Sequence, residues 1–357
     1  MRKNRVRVLL LAVAAACIVV AANQIVGRAE YFLYQGKASL ELGHYEDAIA
    51  RFDRAIQLRP DIAVGHVGRG AAHVMSGRYS EAIADFDQAL LLAPYHVDAY
   101  YYRGAAKSKL KLFEAAIADF DRAVRLKHDH ADAFAHRGNA KTCLGLHQEA
   151  LADFEEALLY EPDHAGAYYG RGVTYMRLDQ NEDAIVDLDR ALQLQPDNAG
   201  AHIFRGYAKA TLGRYQEAIV DYDQALELQP GHVSAIFHRG LAREKLGQFQ
   251  TAIADYDQVL LSKPDHAHTY FHRGLARANL GRFQDAIIDY DRALQLKHDY
   301  AKAFISRGLA KNNLGLAEGA FADLKAAAAL NSAKTAMDSD GGIDSEGLVR
   351  QLWFGQY

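Results

Sequence analysis

Five histidines, His96, His130, His164, His232 and His266, recur at intervals of 34 residues or twice that. Imidazoles on a regular spacing raise the idea of a metal array. Zinc draws its ligands to about 2 Å, however, and packed helices stand about 8–10 Å apart, so equivalent histidines one interval apart cannot share an ion. The sequence instead assigns them to turns, beside Asp129, Asp163 and Asp265, whose carboxylates suit the start of the next helix. His136, His238 and His272, each just before Arg-Gly, are also one interval or more apart and fare no better. No metal and no cofactor is expected.

A second set of chemistry-bearing residues obeys the same interval. Arg69, Arg103, Arg137, Arg171, Arg205, Arg239, Arg273 and Arg307 are each followed sixteen residues later by Asp85, Asp119, Asp153, Asp187, Asp221, Asp255, Asp289 and Asp323. At the first occurrence of the interval both partners are missing together, with Gln35 and Arg51 in their places. Joint loss predicts joint contact, since a guanidinium meets a carboxylate on two prongs and so fixes the angle between elements. Removing one partner of a partly buried pair costs ~3 kcal/mol or more. An arginine ladder for an anionic ligand is the alternative, and the equal number of aspartates cancels the field it would need. The motifs HExxH, paired CxxC, Gly-x-Ser-x-Gly and a phosphate-cradling glycine loop are absent, so the sequence does not predict an enzyme.

The elements that must carry these residues follow from a 34-residue ruler begun at Ala29, which gives nine units without insertion and ends at Lys334. Position 8 is glycine in all nine units, position 20 is alanine in all nine, and position 15 is glycine in seven. All six prolines (Pro60, Pro94, Pro162, Pro196, Pro230 and Pro264) fall at position 32. Small residues at 8 and 20 let two helix backbones approach. Glycine at 15 takes the left-handed conformation that ends a helix, and proline at 32 cannot continue the second one. Aromatics such as Tyr100, Phe113 and Phe120 fill the space between helices. Each unit therefore reads helix, glycine turn, helix, proline turn.

With glycine at 8, an aromatic at 17, alanine at 20, an aromatic at 24, alanine at 27 and proline at 32, the sequence resembles the tetratricopeptide repeat (TPR) family over residues 29–334. The resemblance implies an all-α, right-handed solenoid whose concave groove binds peptides or proteins. It places the groove on positions 2, 5, 9, 12 and 13 of each first helix. Here those positions offer Tyr169, Val173, Met176 and Arg177, then Ile203, Tyr207 and Thr211, then Phe237, Leu241, Glu244 and Lys245, then Phe271, Leu275 and Asn279, and last Ile305, Leu309 and Asn313. That is an apolar, partly aromatic stripe with polar edges, although positions 5 and 9 also suit plain packing against the neighbouring unit. Charges at Tyr207 and Phe237 are expected to abolish partner capture. The Lys and Asn clamp that some members use for acidic chaperone tails is incomplete, with Asn139 present but Ala135 where lysine belongs. Unit 5 departs from the pattern at Asp179 and Asn181, unit 3 at Lys111 and His128, and unit 9 at Ala317 and Leu324, as suits a terminal cap.

Outside the repeats, Arg2, Lys3, Arg5 and Arg7 precede an uncharged run over 8–27 closed by Arg28. At 1.5 Å per residue the run is about 30 Å long, enough for a bilayer core. The charge asymmetry predicts the N-terminus in the cytoplasm and the remainder outside it, on the periplasmic side. Residues 1–28 are read as a signal anchor, or as a signal peptide cleaved near Val20-Ala21-Ala22 that releases a secreted or periplasmic chain, with lipidation of Cys17 a third option. Residues 335–357 read as an acidic linker followed by an apolar cluster, Leu348, Leu352, Trp353, Phe354 and Tyr357. The cluster suits a cap on the last unit or a docking peptide. A net charge of −4 argues against nucleic acid as a partner. The sequence thus predicts a membrane-anchored, non-enzymatic scaffold for a peptide or partner helix, with a self-assembling homo-oligomer as the alternative.

Overall fold

The computed structural model describes residues 24–338, and these divide into an N-terminal region ending at Leu194 and a C-terminal region beginning at Gln195. Among the described residues every element is an α-helix. Helix α1 covers 24–41 and α2 covers Tyr45–Leu58. From there a 13-residue and a 14-residue helix alternate on the 34-residue ruler, from α3 (Ala63–Met75) and α4 (Tyr79–Leu92) through α9 (Ala165–Arg177) and α10 (Asn181–Leu194). The C-terminal region repeats the pattern with α11 (Ala199–Thr211), α12 (Tyr215–Leu228), α13 (Val233–Lys245), α14 (Phe249–Ser262), α15 (Ala267–Asn279), α16 (Phe283–Leu296), α17 (Ala301–Asn313) and a longer α18 (Ala317–Asp338). The shorter A helix occupies positions 1–13 of each unit and the longer B helix positions 17–30. Within each region, every helix packs on the one before and the one after it.

The turns obey the local chemistry. Glycines at position 15 hold φ between +74° and +79°. The two units without glycine there force the same conformation on Lys111 (φ 60°) and Asp179 (φ 59°). The core is built from one contact repeated. In seven units an aromatic ring at position 24 packs against the position-8 glycine, so that a Cβ added at Gly70 would stand 2.8 Å from Phe86 and one at Gly240 2.7 Å from Tyr256. Ala48, Ala82, Ala116 and their equivalents are fully buried beside these rings. At Gly138, Gly172 and Gly206 an added Cβ would also lie 3.2 Å from the carbonyl oxygen of the position-20 alanine, so both small residues serve close backbone approach.

Of the apolar run 8–27, residues up to 23 lie outside the described residues, and 24–27 open α1. Among the described residues no helix is long and apolar enough to cross a membrane. The apolar cluster Leu348–Tyr357 likewise lies outside them.

Candidate partner-binding groove

The A helices bring the candidate groove residues into graded positions rather than onto one open stripe. In the C-terminal region the position-5 residues Ile203, Phe237 and Phe271 are buried. Phe237 packs among the rings of Tyr256, His266 and His272, and Phe271 against Tyr290 and Tyr300. Position 9 is the accessible apolar row, with Tyr207, Leu241 and Leu275 partly buried. Position 13 forms an exposed polar rim of Thr211, Lys245 and Asn279. Asn279 Nδ2 donates to the Leu275 carbonyl at 2.9 Å and Thr211 Oγ1 to the Tyr207 carbonyl at 3.1 Å. Ile305, Leu309 and Asn313 are exposed. In the N-terminal region Met176 is buried, while Tyr169, Val173 and Arg177 are partly buried. Burial lowers the pKa of Arg177, with the Cys143 thiol nearby opposing the shift.

One polar group on this face went unrecognised as a network. The Glu244 carboxylate at position 12 accepts from the Tyr256 hydroxyl at 2.9 Å and lies 3.2 Å from His272 Nδ1. Burial first, and then the adjacent Glu244 charge, raise the Tyr256 pKa, so this phenol stays protonated as a donor. The sequence signal was a tyrosine at a core position where the N-terminal region uses phenylalanine, because a buried hydroxyl requires a partner. His238 is enclosed by Tyr207, Tyr222 and Phe237, and burial pulls its pKa down to about 3.

The charged set is structural and larger than the pairs alone. Every position-7 arginine from Arg69 to Arg307 bonds the position-23 aspartate of its own unit, with Nε to carboxylate distances of 2.7–3.2 Å. All eight aspartates, Asp85 to Asp323, are buried. Arg69, Arg103, Arg137, Arg239, Arg273 and Arg307 each reach a second aspartate in the preceding unit, Asp53, Asp87, Asp121, Asp223, Asp257 and Asp291, at 2.5–2.7 Å. The arginine is therefore a rivet between units as well as within one. Position 11 adds a further cation, as when Lys209 Nζ meets Asp221 at 2.9 Å and Arg277 meets Asp289 at 2.8 Å. Burial raises the Asp221 pKa, but hydrogen bonds from His202, Arg205 and Lys209 outweigh it and hold the carboxyl below its usual range. The sequence did carry the missed partner. Asp53 persists in unit 1, which has no pair of its own, because Arg69 follows it.

Three of the five recurrent histidines cap helices. Nδ1 of His96, His164 and His232 accepts from the backbone N–H of Ala99, Ala167 and Ala235 at 3.1–3.3 Å, and Asn198 Oδ1 does the same for Ala201 at 3.0 Å. This corrects the expectation that Asp129, Asp163 and Asp265 cap. The N-cap falls at position 34, one residue beyond each aspartate; His164 takes the bond there, while His130 and His266 occupy the N-cap without a side-chain bond to the helix backbone. Among the described residues no three His, Cys, Asp or Glu side chains are grouped so as to hold a metal ion.

Repeated pairs of A and B helices define a helical-repeat protein, and the comparisons place the repeat. Two profiles, each described as Tetratricopeptide repeat, match residues 33–95, 67–132 and 237–301 in one case and 165–198 and 199–232 in the other. The chain belongs to the tetratricopeptide repeat family, whose members typically serve as non-enzymatic protein-interaction scaffolds. Among similar solved structures is the APC/C hetero-tetramer Cut9–Hcn1, 15% identical over 85% of this chain and 73% of that one, with a TM-score of 0.53. That likeness is one of fold. Another is YrrB, a TPR protein with an unusual peptide-binding site, 30% identical over 48% of this chain and 88% of that one, with a TM-score of 0.41. A third is a tetratricopeptide repeat protein from Parabacteroides merdae, 19% identical over 72% of this chain and 98% of that one, with a TM-score of 0.49. None of the curated proteins compared with the chain matches it.

Proposed function

We propose that this protein is an exported scaffold, held at a membrane by residues 8–27, that seats a peptide or partner helix on the A-helix face of its C-terminal region. The observation that carries the reading is the row Tyr207, Leu241 and Leu275, partly buried and one unit apart, bordered by the exposed Thr211, Lys245 and Asn279. Packed helices about 8–10 Å apart give that row a repeat of the same size. A helical ligand matches it with an apolar side chain every seventh residue, about 10.5 Å, and one in the polyproline II conformation with every third residue, about 9 Å. Aromatic anchors such as Tyr207 supply much of the energy of such contacts.

The test is capture from envelope extract by the full chain and by the Tyr207→Asp/Leu241→Asp variant in parallel. Leu241 replaces Phe237 as the second position because Phe237 is buried, and a charge there would damage the fold rather than the surface. Loss of a specific partner at unchanged helicity is expected, and equal capture by the variant overturns the groove assignment. Retention of the full chain in carbonate-washed membranes, and its release when residues 1–27 are deleted, is expected of the anchor.

A further inference from the structure

The last unit carries an apolar end face that its own repeat register leaves uncovered. In the interior, position 21 of the B helices is half-buried at Ile49, Ile83 and Ile117 and buried at Leu151, Ile185, Ile219, Ile253 and Ile287. Its counterpart in α18 is Phe321, which is 70% exposed. At position 24 the change is as abrupt, from 0% at Tyr290 to 44% at Leu324. Position 25 changes with them. It is Asp or Glu in units 1–8, where in most cases it binds the arginine of the next unit, but Lys325 in unit 9, and that lysine is exposed. The end of the solenoid thus has a large aromatic, a leucine and a cation where every interior unit has a covered apolar seam and an anion.

Residues 338–357 have the matching chemistry. Asp338, Asp340, Asp344 and Glu346 come first, then Leu348, Leu352, Trp353, Phe354 and Tyr357. Reach permits the return. Phe321 lies seventeen residues back from the end of α18, about 26 Å along the helix at 1.5 Å per residue. The nine residues 339–347 span about 30 Å when extended at roughly 3.3 Å each.

We propose that residues 348–357 of the same chain fold back on Phe321 and Leu324, with the acidic linker passing Lys325, and so close the solenoid. The proposal is independent of what the groove binds. Trp353 is the single tryptophan of the chain and reports on it directly. In the full chain, Trp353 emission is expected to be blue-shifted, with acrylamide quenching at least threefold weaker than for free tryptophan amide. Phe321→Asp/Leu324→Asp, at positions exposed enough to leave the fold intact, is expected to return both readings to solvent values at unchanged helicity. Tyr207→Asp is expected to leave them unchanged. Solvent-like emission in the native chain, protection that survives the end-face variant, or protection lost in Tyr207→Asp each overturns the proposal. Protection that rises with protein concentration, together with rising mass in light scattering, assigns the tail to a second copy and overturns the intrachain placement.

Discussion

The two regions of this protein solve the same packing problem with different rings. In the N-terminal region position 24 is Phe52, Phe86, Phe120 and Phe154, closed by Leu188, and in the C-terminal region it is Tyr222, Tyr256 and Tyr290 before Leu324. Both sets sit against a position-8 glycine at the same distance. The added hydroxyl does more than occupy space, because Tyr256 holds the Glu244 carboxylate of α13 and His272 joins it. In unit 7 this tyrosine thereby fixes an acceptor on the A-helix face. Before the terminal unit, the breaks in turn geometry and in the charged set fall in the other region. Lys111 and Asp179 strain the turns there, Glu155 replaces an aspartate before Arg171, and Tyr175 stands where neighbouring units carry a cation.

The contrast breaks most sharply in acid. His238 is buried, with a pKa near 3 against an ordinary 6.5. Above pH 6.5 it is neutral folded or unfolded and contributes nothing to pH dependence. Between 6.5 and 3 only the unfolded chain takes the proton, so stability falls with pH, by about 1 kcal/mol at pH 5.5 and on the order of 4 kcal/mol at pH 3. Hydrogen exchange along an acid titration is expected to show α13 and its neighbours losing protection as the pH falls from 6.5 toward 3, and His238→Phe is expected to remove most of that loss around α13.

The rivets come next. Arg239→Ala removes bonds to Asp255 and Asp223 and strands a buried carboxylate, with an expected loss of ~3 kcal/mol or more. Arg171 has no aspartate to reach in the preceding unit, where Glu155 stands, so Arg171→Ala is expected to cost roughly 1 kcal/mol less. Local opening energies from hydrogen exchange in the two variants decide the comparison, and an equal loss would show that the link between units contributes little. The smallest effect sharpens the contrast in the turns. Asp179→Gly and Lys111→Gly each relieve a left-handed, non-glycine residue and are expected to stabilise by about 0.5–1 kcal/mol, whereas Gly247→Ala, at φ +74°, is expected to destabilise by a similar amount. Urea midpoints followed by helicity are sufficient to see all three.

Much of this architecture was legible because its determinants are local and repeated nine times. Gly43 and its equivalents end a helix by their own φ, Pro60 and its equivalents stop one by lacking an N–H, and Gln35 with Arg51 revealed a contact by vanishing together. The candidate site was less legible. Phe237 and Tyr207 are both aromatic and both on the inner side of an A helix, and nothing in their local sequence says that one is buried under His266 and His272 while the other remains reachable. That outcome depends on how far the next A helix advances over the last, a distance set by the sum of many contacts.

What the sequence determined by itself, then, is the order, length and turn chemistry of the helices and the pairing of Arg69 to Arg307 with Asp85 to Asp323, since each follows from residue type and spacing within one unit. Only the tertiary structure decided that the same arginines bind the unit before, that His96, His164 and His232 rather than the aspartates cap the A helices, that Glu244 is held by Tyr256, and that Phe321 stands bare at the end of the row. These are relations between units or across a turn of exact pitch, and an interval of 34 residues does not specify the angle at which one unit meets the next.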